Sequence, residues 1–105
     1  LGDYTKQQDY LEKALLIFES NYGLEDPRVA MTLNNLAMAS ANLGDLPLAQ
    51  EQVERALRIF EASSLGAEHP QALAIKRSLA RIAKLAQIVE ERRLEAVELA
   101  QIEEV

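Results

Sequence analysis

The chain of 105 residues is 49% apolar, 27% charged and 5% aromatic, and its formal net charge is −6. This length allows one small domain and excludes a multidomain enzyme, and the acidic balance argues against broad nucleic-acid binding, which needs an excess of Lys and Arg. The absence of Cys excludes disulfides and a cysteine nucleophile and is typical of a reducing, cytoplasmic compartment, while no apolar run approaches the ~18–20 residues of a membrane span.

The four glycines divide the chain at nearly regular intervals. They are Gly2, Gly23, Gly44 and Gly66, spaced 21, 21 and 22 residues apart. Glycine commonly ends helices because it adopts the left-handed conformation without steric cost. Residues 1–22 match residues 43–64 at ten of 22 positions, and beyond them the spacing becomes 43. This period predicts a helical repeat array, whose single units cannot bury their apolar faces alone.

The first predicted helix, residues 4–22, repeats the pattern of the helix that follows Gly44. Residues 1–22 are therefore interpreted as the second helix of a truncated repeat. Leu11, Leu15 and Phe18 would then be apolar side chains that lack the first helix on which to pack.

A full repeat is predicted over residues 26–65. Asp26-Pro27 begins its first helix, because Asp caps a helix N-terminus and Pro is tolerated in the first turn. One face of that helix carries Val29, Leu33, Leu36, Ala37 and Ser40. The second helix follows the Gly44-Asp45 turn, and its predicted buried stripe is Ala49, Val53, Ala56, Leu57 and Phe60.

The last predicted segment, residues 69–105, begins at His69-Pro70 and contains neither Gly nor another Pro. Gln87 stands where the preceding repeat has Gly44, so no break is signalled there. We predict one helix of about 30 residues, roughly 45 Å long, in which the first helix of the next repeat extends into a long or capping helix. The alternative is a second helix after Val89 that completes the repeat.

The repeat resembles the tetratricopeptide repeat (TPR) of the kinesin-light-chain type. The resemblance covers residues 1 to about 86 and rests on Asp26-Pro27, Ala30, Leu33-Asn34-Asn35-Leu36-Ala37, Leu43-Gly44-Asp45, Ala49, Ala56-Leu57, Ile59, Leu65-Gly66 and His69-Pro70. The sequence departs from the pattern at Arg77-Ser78, which replaces the paired Asn, and at Ser40, where an aromatic residue is common. The resemblance implies an all-α, right-handed superhelix of helix pairs (a TPR solenoid). It also implies that the first helix of each pair lines a concave groove that holds an extended peptide. Proteins with this fold are expected to act as scaffolds without catalytic activity.

The candidate peptide-binding residues lie on the two predicted first helices and are Asn34, Asn35, Met38, Arg77, Arg81 and Lys84. At about 100° per residue, Asn34 and Met38 point away from Leu36 and the core, and Asn35 lies on the flank. An Asn amide can bond both the N–H and the C=O of an extended backbone, and Arg and Lys form charge-assisted bonds with carboxylates. Because residues 70–89 carry four positive side chains and no acidic one, an acidic ligand is predicted. The alternative is that these cations form the solvated face of an amphipathic helix.

No catalytic residue, metal site or cofactor is predicted. A zinc site needs three or four ligands, and the single histidine, His69, has none nearby and precedes Pro70, so it is interpreted as a turn residue. The sequence contains no Gly-rich phosphate loop, HExxH or GxSxG motif.

The predicted function is that of a non-catalytic scaffold whose partner is a protein or peptide, with no nucleic acid or membrane involved. The alternative is a self-assembly module, because apolar side chains near both ends of the array favour a homodimer or higher homo-oligomer. Those near the C-terminus are Val89, Val97, Leu99 and Ile102. A third possibility is a sensor arm of a larger multidomain protein.

Overall fold

The computed structural model describes residues 3–104 and consists there of four helices: α1 (Tyr4–Tyr22), α2 (Pro27–Asn42), α3 (Leu46–Ala62) and α4 (Pro70–Glu103). Residues 1, 2 and 105, which belong to the first and last predicted segments, lie outside the described residues. Each helix packs on the next along the chain, and α2 also contacts α4. The predicted all-α helical repeat fold with a long C-terminal helix is confirmed.

Each helix begins at a side chain that accepts a hydrogen bond from a backbone N–H of the first turn. Asp26 Oδ1 accepts from Arg28 N at 2.8 Å, and Asp45 and Asp3 cap α3 and α1 in the same way. His69, predicted as a turn residue, is the cap of α4, where its Nδ1 accepts from Gln71 N at 3.1 Å. These caps satisfy donors that have no partner within the helix, so the four starts are encoded locally.

The turn between α2 and α3 depends on Gly44, which has φ +89°. The turn is closed by Asp45 N, which donates to the Ser40 carbonyl at 3.0 Å. A Cβ at Gly44 would meet nothing within 4 Å, so the cost of a larger residue comes from the backbone conformation alone.

Gly44→Ala is expected to lower the free energy of unfolding by about 1–2 kcal/mol, because an L-residue is strained in the left-handed region. Urea unfolding followed by circular dichroism measures this change. Asn42→Ala, two residues earlier on an exposed helical position, is the control and is expected to change stability by less than about 0.5 kcal/mol. Equal effects of the two substitutions would show that the turn does not need a positive φ.

The core lies between α2, α3 and the first half of α4. Its largest fully buried side chains are Phe60, Ile75 and Ile82. Small residues, among them Ala37 and Ala56, are also fully buried and allow the helices to approach closely. The residues of α2 that were predicted to face the core are all buried, whereas Leu57 of the stripe predicted for α3 packs only partly against the core.

Ser40 lies fully buried where α1, α2 and α3 meet. Its hydroxyl donates to Gln52 Oε1 of α3 at 2.9 Å and accepts from Gln8 Nε2 of α1 at 3.3 Å. A second link joins α1 to α3, since Arg55 donates to Glu19 at 2.9 Å. The position at which the family pattern often has an aromatic residue is therefore a small polar junction in this chain.

The outward face of α1 differs from the prediction. Leu15 and Phe18 pack against the core, and Leu11 is half-buried. These three side chains are therefore not the exposed apolar side chains of α1. The exposed apolar side chains of α1 are Tyr10, Leu16 and Ile17. The prediction was wrong because α2 packs against the stripe that was assigned to a missing helix.

The last helix, α4, has two halves with different surroundings. Residues 70–86, called here the docked half, contain every buried residue of the helix. Residues 87–104, called the tail, comprise the rest of the helix and its C-cap, Glu104, and are exposed without exception. At 1.5 Å per residue the helix is about 50 Å long, and it contributes to a longest dimension of 60 Å. Among the described residues, no helix is both long enough and apolar enough to cross a membrane.

Candidate peptide-binding cleft

The structure separates the six predicted site residues by burial. Asn35, Arg77, Arg81 and Lys84 are exposed, and Met38 lies half-buried against the core. Asn34 is only 7% exposed, and its Oδ1 has no hydrogen-bond partner within residues 3–104.

The orientation predicted for Asn34 is therefore wrong. Along α2, Asn34 lies on the same side as the fully buried Ala30 and Ala37, four residues before it and three after it. Because α2 contacts α1, α3 and α4, its buried arc is wider than an apolar stripe suggests. The exposed strip is correspondingly narrow and contains Arg28 and Asn35, seven residues apart.

A cleft of about 460 Å³ opens over the N-terminal half of this strip. It lies between the C-terminal part of α1, the first turns of α2, the loop before α4 and the start of α4. Its lining residues are Phe18, Asp26, Pro27, Arg28, Met31, Thr32, Asn35, Leu65 and Gln71. Of the six predicted residues, only Asn35 lines it.

Arg28 is the cation of the cleft, and its side chain is held from two sides. The guanidinium carbon lies 3.7 Å from the centre of the Tyr22 ring, and Nε lies 3.6 Å from Asp26 Oδ1. Tyr22 in turn stacks on Phe18 with ring centres 6.2 Å apart. Since Arg28 remains about half exposed, it is oriented and still open to a ligand.

The other polar groups of the cleft are suited to a peptide backbone. The amides of Asn35 and Gln71 make no side-chain hydrogen bond within the described part of the chain, so their donors and acceptors are open to a ligand. The hydroxyl of Thr32 is occupied, because it donates to the Arg28 carbonyl at 2.8 Å. Apolar walls from Phe18 and Leu65 complete a mixed surface of the kind that binds an extended segment through its backbone and one side chain.

Comparison with protein families identifies the repeat. The family model described as "Tetratricopeptide repeat" matches residues 1–62 and residues 29–101. The chain belongs to the tetratricopeptide repeat family. Repeats of this family generally mediate protein–protein interaction and are not catalytic. No curated protein matches the sequence significantly.

The spacing between the tetratricopeptide repeats shows how the cations of α4 are placed. A shift of 43 residues carries Met38 of α2 onto Arg81, and Asn34 onto Arg77. Arg81 therefore occupies the position on α4 that Met38 occupies on α2. Arg77 occupies the place that is buried in α2, and it is exposed because no described helix covers that side of α4. None of the ion pairs in residues 3–104 involves these two cations.

Two residues that line the cleft were missed by the sequence analysis, although a signal for them exists. Arg28 and Gln71 each follow the helix-starting proline of a tetratricopeptide repeat and are equivalent under the 43-residue shift. Arg28 also lies seven residues, two helical turns, before Asn35. Comparing equivalent positions of adjacent repeats would therefore predict the cleft residues better than a helical projection of α2 alone.

Proposed function

We propose that this chain is a non-catalytic adaptor of the kinesin-light-chain type that binds an extended, acidic peptide segment of a protein partner. The supporting observation is the cleft, in which the oriented guanidinium of Arg28 and the open amides of Asn35 and Gln71 lie beside apolar walls. The peptide backbone would bond to the amides, and an acidic side chain would pair with Arg28.

Charge extends this surface along α4. The docked half carries four basic residues and no acidic one, and Arg81 is the basic residue equivalent to Met38 of α2. The proposal places Met38 and Arg81 next to the cleft as the continuation of the peptide path. Arg77 and Lys84 contribute positive charge nearby, and Asn34 remains a buried acceptor beneath the surface rather than a direct contact.

The test uses a fluorescently labelled Glu-rich peptide and its Gln-substituted counterpart, with binding followed by fluorescence anisotropy. The double variant Arg28→Glu/Asn35→Ala is expected to weaken binding of the Glu-rich peptide by tenfold or more, since one hydrogen bond to a charged group contributes about 1.5–3 kcal/mol. Arg81→Glu is expected to weaken it less. The matched control is Arg58→Glu, a charge reversal on the exposed side of α3.

Three outcomes decide the proposal. If the double variant loses affinity while Arg58→Glu does not, the cleft is the binding site. Equal losses would show that only net charge matters. Tight and equal binding of the Gln-substituted peptide would contradict the acidic preference while leaving the cleft as the site.

Self-association is a second candidate function. It is favoured by the large exposed apolar side chains on α1 and the tail, among them Leu16, Leu99 and Ile102, because such surfaces commonly find a partner. The lack of Cys supports a cytoplasmic location for either function.

A further inference from the structure

The last helix corresponds to two helices and a turn of the preceding repeat. Under the 43-residue shift, residues 70–103 of α4 align with residues 27–60, which form α2, the turn and most of α3. Gln87 takes the place of Gly44, and Glu90 takes the place of Pro47. The match to the repeat family runs to residue 101 and so includes most of the tail. The tail is thus related in sequence to a second helix, yet it continues the first.

Side-chain pairs lie at and just after residues 86–88, the point where the turn would be. Gln87 donates to Glu91 at 3.3 Å, and Arg93 donates to Glu90 at 2.6 Å and 3.0 Å. The hydrogen bond from Arg93 holds the pKa of Glu90 below its ordinary value. Pairs three and four residues apart favour the helix, so this region is locally helical rather than a latent turn.

The tail keeps apolar residues at three of the five positions that are buried in α3, and Arg92 and Glu103 stand at the other two. Val53, Ala56 and Ile59 of α3 are at most 3% exposed. Their equivalents in the tail are Ala96, Leu99 and Ile102, of which Leu99 is 61% and Ile102 69% exposed. The tail therefore carries part of the face with which a second helix packs on a first helix.

The docked half carries the complementary surface. Ala30, Ala37 and Ser40 of α2 are fully buried. Their equivalents in α4 are exposed and, together with two cations on the same side, form what we call the uncovered face: Leu73, Arg77, Ala80, Ala83 and Lys84. Its two alanines would allow another helix to approach closely, as the small residues of α2 allow α3.

The charges of the two surfaces are opposite. The docked half has four basic residues and no acidic one, a net charge of +4, whereas the tail has six acidic residues and two basic ones, a net charge of −4. Glu95 of the tail is equivalent to Gln52, which contacts Ser40 across the α2–α3 interface. An acidic group would thus lie in the packed face of the tail, close to the cations of the uncovered face.

We propose that two copies of this chain exchange their tails, so that the tail of each copy covers the uncovered face of the other. The two α4 helices would run antiparallel about a two-fold axis near Gln87, and each copy would complete the third repeat of its partner. A tail cannot reach the uncovered face of its own chain, because it continues straight from the docked half as one helix. Exchange of an identical element is a common route to a symmetric dimer.

The first experiment measures molar mass by light scattering across a dilution series for three chains: the natural sequence, Arg77→Glu/Lys84→Glu and Glu91→Lys/Glu95→Lys. The natural chain is expected to dimerise, and each charge reversal is expected to raise the dimer dissociation constant by about tenfold or more, since like charges then face each other. An equimolar mixture of the two variants should restore the dimer, because both interfaces of the mixed dimer regain opposite charges.

The second experiment replaces the centre of α4 with the turn of the preceding repeat, as Gln87→Gly/Ile88→Asp/Glu90→Pro. The tail of this variant is expected to fold back on its own docked half, which gives a monomer with nearly unchanged helix content. A natural chain that stays monomeric at high micromolar concentration would overturn both the exchange and self-association. A dimer that survives both charge reversals and the new turn would overturn the exchange alone. Peptide binding at the cleft is measured separately, so either failure is distinguishable from failure of the cleft.

Discussion

Phe60→Ala is expected to lower the free energy of unfolding by about 3–5 kcal/mol, a large part of the 5–15 kcal/mol that is typical of a small domain. The Phe60 side chain is among the largest that are fully buried in the described part of the chain. Its ring centre lies 5.3 Å from that of His69, the residue that caps α4. Removing the ring leaves a cavity at the point where α3 and the start of α4 meet. Urea unfolding followed by circular dichroism at low protein concentration measures the loss.

The repeat supplies the matched control for this substitution. Phe18 is the equivalent of Phe60 under the 42-residue shift, and it lies half-buried at the wall of the cleft. Phe18→Ala is expected to cost less than half as much, because part of its ring already contacts water. Equal costs would mean that α1 is packed as tightly against α2 as α3 is against α4, which the burial of the two rings does not support.

Ser40→Tyr is expected to destabilise the chain by more than about 3 kcal/mol, although the family pattern often has an aromatic residue at this position. Overpacking of a filled core costs about 1–3 kcal/mol, and loss of buried hydrogen-bond partners costs about 1–3 kcal/mol more. Both terms apply, because Ser40 is fully buried and bonds to Gln8 and Gln52. Thermal and urea unfolding measure the combined loss.

Two further variants separate the terms for Ser40. Ser40→Ala removes the hydrogen bonds without adding volume and is expected to cost about 1–2 kcal/mol. Ser20→Tyr introduces the same ring at an exposed position of α1 and should be close to neutral. A stabilised Ser40→Tyr variant would contradict the packing described at the junction of α1, α2 and α3.

The proposed cleft and the proposed tail exchange use different surfaces of the chain. The cleft uses the exposed strip of α2, which includes Arg28 and Asn35, and the exchange uses the uncovered face of α4, which includes Arg77. A dimer formed by exchange would therefore leave the cleft open. Each dimer would present two clefts, and a partner with two acidic segments would bind more tightly than one with a single segment.

The candidate site was only partly predictable from the sequence. Of the six predicted residues, Asn35 lines the cleft, which lies at the N-terminal parts of the two first helices. The projection at about 100° per residue places Asn34 on the exposed side because it allows for a single buried stripe. In the structure three helices pack against α2, so its buried side is wider. Arg28, which is central to the cleft, was missed because its importance depends on Tyr22 of another helix.

The sequence by itself determined where the four helices begin and where the turn at Gly44 lies. These features depend on hydrogen bonds and backbone conformations within a few residues, so local residue types such as Asp26-Pro27 are enough to encode them. Tertiary structure alone decided which faces stay open, as with buried Asn34 and exposed Arg77 at equivalent positions. The reason is that the exposure of a side chain depends on how many helices pack around its own helix. The local sequence of a helix does not indicate that number.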